Sequence, residues 1–391
     1  MTFGPNFACP YTLMIETLPK LEMVDLKRQY QRLRPEIDAA MQAVIDQTAF
    51  INGPDVNLFA QELADYLGAA QVIPCANGTD ALQLVLMAYG FAPGSEVIVP
   101  SFNYVAAAET VALMGLIPVF TDALPGAYNG DPQAMAKAVT SKTVAIMAVH
   151  LFGQCADLDT IMAIARTHNL IIIEDNAQAI GSMHLGDQTT TRAGLVGHVA
   201  TTSFFPSKNL GCMGDGGAIY TNDLELGARI KMLANHGQRT KYQYDLVGIN
   251  SRLDTLQAAL LRVKLRYLDE FTQTRQSAAA RYDQMLSAID GLHTPERVPY
   301  STHVYHQYTI KVEGNRRDKL QQDLKAHGVP TMVYYPRALH QQAAFYHANQ
   351  LRLPIASQLC EQVISLPMHS ELTAPEQQYV VEKVMECLKQ G

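Results

Sequence analysis

The stretch Leu170-Ile171-Ile172-Ile173-Glu174-Asp175-Asn176-Ala177-Gln178 decides the fold. Its apolar residues run without a break. A strand with one face in water alternates apolar and polar residues, whereas a strand buried on both faces does not. Further apolar runs occur at 72–75, 96–100, 118–122, 144–150, 200–205 and 217–221. Helix-length segments, such as 80–89, 104–114 and 158–168, separate them. This alternation predicts an α/β chain with a large, mostly parallel sheet sandwiched by helices.

The pattern changes after Gly248. Leu253, Leu256, Leu260, Val263 and Tyr267 recur at helical spacing, and Ser251 with Asp254 resembles a capping box, so a long helix is expected over 251–271. A second helix is expected over 273–289. A smaller C-terminal α/β unit follows, with strands at 303–312 and 331–335 and helices at 317–327, 355–363 and 373–388. Thr373 and Glu376 form a capping box for the last helix. The expected division is a tail over 1–19, a large domain over 20–270 and a small domain over 271–391.

Lys and Arg number 30 against 37 Asp and Glu, which gives a net charge of −7 and no long basic run. That balance argues against nucleic acid as a partner. The apolar runs fall short of a membrane span, and the first residues lack the basic and apolar regions of a signal peptide. Cys9, Cys75, Cys155, Cys212, Cys360 and Cys387 are scattered without a C-x-x-C pair. They read as free thiols in a reducing cytoplasm, not as a disulfide framework or metal site.

Four motifs carry chemistry. Cys75-Ala76-Asn77-Gly78-Thr79-Asp80-Ala81-Leu82 follows a strand and opens a helix. Free N–H groups there suit a phosphate, although Asn-Gly also marks ordinary turns. Asp175, at the end of an apolar strand, suits a cationic ring nitrogen or the N-cap of the next helix. Ser203-Phe204-Phe205-Pro206-Ser207-Lys208-Asn209-Leu210-Gly211 sets a lysine among apolar and turn residues. Such a lysine is either a desolvated amine nucleophile or a surface-loop residue. Gly211-Cys212-Met213-Gly214-Asp215-Gly216-Gly217 precedes a strand and has the wrong glycine order for a dinucleotide loop. It reads as a tight reversal behind the lysine, which removes the main support for an NAD-linked oxidoreductase. Taken in order, a phosphate cradle, a strand-end aspartate, a lysine loop and an aromatic at Tyr104 form the set that holds pyridoxal 5′-phosphate.

With those motifs the chain resembles the fold-type I pyridoxal-phosphate enzymes, and within them the DegT family of nucleotide-sugar aminotransferases. The resemblance runs from Asp25-Leu26-Lys27-Arg28-Gln29-Tyr30 nearly to the C-terminus and includes His236-Gly237-Gln238 and Gly248-Ile249-Asn250-Ser251-Arg252-Leu253. It implies that Lys208 binds the cofactor covalently and moves the proton. It assigns Asp175 to the ring nitrogen, Gln178 to the ring hydroxyl and Tyr104 to the ring face. Gly78, Thr79 and Ser203 are assigned to the phosphate, and Asn250 to the phosphate of a neighbouring subunit, which makes the active unit a homodimer. Family members with histidine at the lysine position are dehydratases, so Lys208 favours transamination from glutamate to a keto-sugar nucleotide. Phe152-Gly153-Gln154-Cys155-Ala156-Asp157 and the 204–219 stretch look like those of enzymes acting on UDP-2-acetamido-3-keto-glucuronate in bacterial surface polysaccharide synthesis. The alternatives are a dTDP- or UDP-4-keto-6-deoxy sugar and a non-catalytic regulatory role. Arg252 fits the sugar carboxylate, the donor glutamate or a nearby acid. His306, Tyr334, Tyr335 and His340 are candidates for the substrate pocket.

Overall fold

The computed structural model describes residues 20–186, 189–348 and 350–389, so the expected tail over 1–19 and Cys9 lie outside the described residues. The strands are β1 (Gln71–Cys75), β2 (Glu96–Pro100), β3 (Ile117–Thr121), β4 (Thr143–Val149), β5 (Ile171–Asp175), β6 (Met183–Leu185), β7 (Thr190–Arg192), β8 (Val199–Ser203) and β9 (Gly217–Thr221), then β10 (Gln238–Thr240), β11 (Gln243–Tyr244), β12 (Leu292–His293), β13 (Tyr308–Val312) and β14 (Val363–Leu366). The α-helices are α1 (Leu26–Gln47), α2 (Pro54–Leu67), α3 (Gly78–Tyr89), α4 (Ala106–Leu113), α5 (Pro132–Ala138), α6 (Leu158–His168), α7 (Leu224–Leu233), α8 (Thr255–Leu265), α9 (Leu268–Leu286), α10 (Arg317–Ala326), α11 (Pro354–Gln362) and α12 (Ala374–Lys389).

Seven strands form the main sheet in the order β1-β9-β8-β5-β4-β2-β3. Strand β9 runs antiparallel to both neighbours, and the other pairs are parallel. Successive residues of the central strands enter opposite cores, as a period of two requires. Ile172 packs with Ile98, Ile146 and Leu158 on one face, while Ile173 packs with Val97, Val99 and Met147 on the other. This double burial explains the unbroken apolar run in β5.

A second, antiparallel sheet has the order β12-β13-β14. Ile310 and Ile364 from this sheet share a core with Tyr282, Leu320, Leu324, Val380 and Val384 from α9, α10 and α12. The capping box of α12 is present: Glu376 N–H donates to Thr373 Oγ1 at 3.4 Å, and Glu376 Oε2 accepts from Thr373 N–H at 2.9 Å.

Three expected elements differ. The helix over 251–271 is divided into α8 and the start of α9, and its proposed cap is absent because Ser251 Oγ accepts from Ala76 N–H instead. The strand over 303–312 shortens to β13. Its first residues bind a different partner, with Val304 N–H donating to Gly153 O and Gln307 N–H to Phe152 O. Residues 331–335, set between Pro330 and Pro336, form only an isolated bridge from Met332 to Ser365. Proline lacks the N–H that a ladder needs. Cys75, Cys155, Cys212, Cys360 and Cys387 are free and buried. No helix among the described residues is long and apolar enough to cross a membrane.

Candidate active site

A cavity of about 640 Å³ opens where the carboxyl ends of β1, β2, β4, β5 and β8 converge. Open α/β sheets bind ligands there because the strand ends and the following helix starts present free polar groups. Asn77, Gly78 and Thr79 enter from the end of β1, and Asn103 and Tyr104 from beyond β2. Phe152 comes from beyond β4, Asp175 from the end of β5 and Gln178 from the turn after it, and Ser203, Ser207 and Lys208 from β8 and its loop. The C-terminal part supplies His306, Gln307, Tyr334 and Tyr335.

Asn77 caps α3 by accepting Asp80 N–H at 2.8 Å. The first-turn N–H groups at Gly78 and Thr79 have no partner within the helix. A Cβ on Gly78 would lie 2.8 Å from Ser203 Cβ, and one on Gly217 would lie 2.4 Å from the Asn77 carbonyl carbon. Glycine at both positions therefore lets the helix start, β8 and β9 close into one anion-sized cradle.

Asp175 is buried at the end of β5 and accepts Ala177 N–H at 3.1 Å. Burial raises its pKa, against the pull of that N–H, Lys208 and His150. Lys208 is half-buried on a loop closed by its own N–H donating to Phe205 O at 2.8 Å. Desolvation lowers its pKa to about 8, and the attraction of Asp175 limits the fall. The amine is thus neutral in a useful fraction of molecules near neutral pH, as a nucleophile requires. Glu174, the neighbour of Asp175, is fully buried and points away into structure: it accepts from His150 Nε2 and from the Gly194, Val196 and Gly197 N–H groups.

Gln178 is fixed at both ends. Its Oε1 accepts Phe152 N–H at 2.8 Å, and its Nε2 donates to Tyr335 Oη at 3.0 Å. Tyr104 is 56% exposed at the cavity mouth, with its ring against that of Tyr335. His306 is buried, and desolvation, Lys208 and Arg275 hold its pKa well below the ordinary value, so its ring is neutral.

Three expected site residues are placed elsewhere in the chain. His340 does not line the cavity: its Nδ1 is 2.7 Å from Ser101 Oγ, and Leu339 N–H donates to Ser101 O, so the ring is committed to holding that loop. Asn250 is exposed and forms a bridge with Asn235. Arg252 lines a separate cavity of about 760 Å³ together with Lys231 and Arg239. Asn77, Asn103, Ser207, Asp215 and Gln307, to which the sequence assigned no role, also line the main cavity. Their signal was position: each lies within or beside a stretch already singled out.

The sequence profile of the DegT/DnrJ/EryC1/StrS aminotransferase family matches residues 31–385. The chain belongs to that family. A Pseudomonas aeruginosa protein, UDP-2-acetamido-2-deoxy-3-oxo-D-glucuronate aminotransferase, is 48% identical over 352 residues, covering 90% of this chain and 96% of the relative. A Geobacillus stearothermophilus protein described as a pleiotropic regulatory protein is 45% identical, covering 93% of this chain and 97% of the relative. Among solved structures, S. venezuelae DesV in complex with a ketimine intermediate superposes with a TM-score of 0.90 at 39% identity, covering 94% of this chain and 98% of DesV.

This aminotransferase depends on pyridoxal phosphate, and its cavity fits the cofactor. The N–H cradle at Gly78 and Thr79 suits a phosphate, the buried Asp175 carboxylate suits a cationic ring nitrogen, and the partly neutral Lys208 amine suits an aldehyde. When bound, the cofactor supplies a carbonyl carbon for amines and a ring that accepts electrons.

Proposed function

We propose that the enzyme transfers an amino group from glutamate to UDP-2-acetamido-3-keto-glucuronate, in the synthesis of a bacterial surface polysaccharide such as lipopolysaccharide. The observation that carries the reaction type is the Lys208 amine and the Asp175 carboxylate facing one cavity, each titration shifted by burial and by the other. The acceptor is inferred from the extended likeness to the P. aeruginosa enzyme.

In this reading Lys208 holds the cofactor and afterwards carries the proton between the substrate carbon and the cofactor. Asp175 keeps the ring nitrogen charged. Gly78, Thr79 and Ser203 bind the phosphate, Tyr104 covers the ring and Gln178 meets its hydroxyl. His306 and Tyr334 form the sugar side of the pocket. Lys208 is the sole Lys or Arg among the described residues lining the cavity, yet the phosphate and both substrates are anions. That deficit supports a homodimer in which Asn250 and Arg252 reach the partner's cavity. The functional division into a large unit ending near residue 270 and a small unit beyond it belongs to the same reading, as does a cytoplasmic location, which the free buried thiols suit.

The test is glutamate-dependent amination across a panel of keto-sugar nucleotides. The UDP-3-keto-uronate should give the highest kcat/KM. Preference for a dTDP- or UDP-4-keto-6-deoxy sugar would overturn the acceptor, and no amination of any member would overturn the reaction. Arg252→Lys sharpens the result. A lysine cannot reproduce a bidentate guanidinium–carboxylate pair, so KM for the carboxyl substrates should rise.

A further inference from the structure

We infer that Tyr335 is a positioning residue of the cofactor site, one that shares with Gln178 the task of holding a single acceptor oxygen. The inference rests on the pyridoxal-phosphate reading above and assigns Tyr335 to the cofactor side of the cavity, where the resemblance had suggested a substrate contact.

The chain of bonds that orients Tyr335 starts at Phe152. Its backbone has φ 58, in the left-handed region that a bulky residue rarely adopts, and Gly153 follows at φ 112. A Cβ at Gly153 would lie 2.9 Å from the Tyr305 and His306 backbone nitrogens. The turn is therefore pressed against the C-terminal segment and held there by the Val304–Gly153 and Gln307–Phe152 bonds. It presents Phe152 N–H to Gln178. A backbone N–H can only donate, so the atom 2.8 Å away is the amide oxygen of Gln178, and the amide cannot be flipped. Gln178 Nε2 is then directed at Tyr335, 3.0 Å away. An amide N–H also only donates, so Tyr335 Oη accepts from it.

Two consequences follow from this chain of donors. The Tyr335 hydroxyl proton is not used toward Gln178 and is free for another acceptor. Gln178 Nε2 likewise keeps its second N–H. The two donor atoms stand 3.0 Å apart on the lining of one cavity, and one acceptor oxygen can bridge such a pair. Ring contacts keep Tyr335 in register: Phe102 meets it edge-on with centroids 6.1 Å apart, and Tyr104, the exposed ring at the mouth, lies 6.3 Å away. The ring hydroxyl of the cofactor is the acceptor in this chemistry. In its ionised form it takes two donors, and it lies beside the carbon that Lys208 attacks. Donors on that oxygen spread its negative charge and loosen the proton shared with the lysine linkage.

The test reads the pH midpoint of the visible absorption band in cofactor-loaded protein. Tyr335→Phe keeps the ring and removes one donor. The midpoint should rise by about one pH unit, the size of a modest change in hydrogen bonding to a charged group. Tyr334→Phe removes the neighbouring hydroxyl and should leave the midpoint in place. If Tyr335→Phe folds poorly, difluorotyrosine at position 335 retains the contacts and donates more strongly, so the midpoint should fall. An unchanged midpoint in Tyr335→Phe, with only KM for the sugar altered, returns Tyr335 to the substrate and overturns the inference. A wild-type protein that gives no visible band at all overturns the cofactor reading itself, which separates the two failures.

Discussion

Lys208 and Lys264 are an instructive pair. Burial pushes both ammonium groups down to about 8, so by titration alone they are equivalent. Their surroundings are not. Lys208 stands among five strand ends, with Asp175 as its charged neighbour. Lys264 is 4% exposed on α8 and donates to Gly211 O at 2.8 Å, at the far end of the same loop. A desolvated lysine is common to both places. In the proposed function one of them is the reaction centre, because a carboxylate faces it across a cavity with helix-start N–H groups alongside. The other amine is an anchor for the loop that carries the first.

The largest effect should separate the two. Lys208→Ala should lower transamination by about a thousandfold or more, the scale of a lost proton-transfer group, whereas Lys264→Met should keep most of the activity measured in the same steady-state assay. Equal losses would break the distinction. Asp175→Asn comes next and should cost about a hundredfold in kcat, the scale of a removed electrostatic partner. In cofactor-free protein the same substitution removes an attraction that holds the Lys208 proton. The pH midpoint of Lys208 acylation, followed by mass spectrometry, should therefore drop below about 8.

A smaller effect concerns stability. At pH 10.5 and above, where the amine is neutral in the folded and the unfolded chain alike, Lys264→Met leaves Gly211 O without its donor and should cost about 1–3 kcal/mol in urea unfolding, a cost that relief of the buried charge offsets at lower pH. The sign with pH follows from the titration. Lys264 is depressed from 10.5 to about 8 on folding, so between those values the unfolded chain binds more protons. Wild-type stability should rise relative to Lys264→Met as pH increases through that window. The smallest effect lies far from either lysine: Thr373→Ala removes the cap of α12 and should cost about 1 kcal/mol, with kcat unchanged.

The half of the site built on strand ends was legible because its signals are local. The apolar run into Asp175, the Asn-Gly helix start and the lysine loop each carry their meaning within a few residues. The other half is set by distant bonds. Residues 303–307 have the composition of a strand, yet Phe152 and Gly153 claim two of their N–H groups. His340 has the chemistry of a site residue but answers to Ser101. Helices α1 and α2 are not among the elements expected from the sequence, although Leu33, Ile37 and Val44 mark a buried stripe in α1. That stripe is narrow, the rest of the helix is polar and Pro35 lies within it, so the pattern is easily taken for a loop.

The most direct test of the account is a peptide map of the holoenzyme after borohydride reduction, which fixes the cofactor to the amine that holds it. The account predicts that the modified residue is Lys208. Modification of Lys264, or of neither lysine, would contradict it.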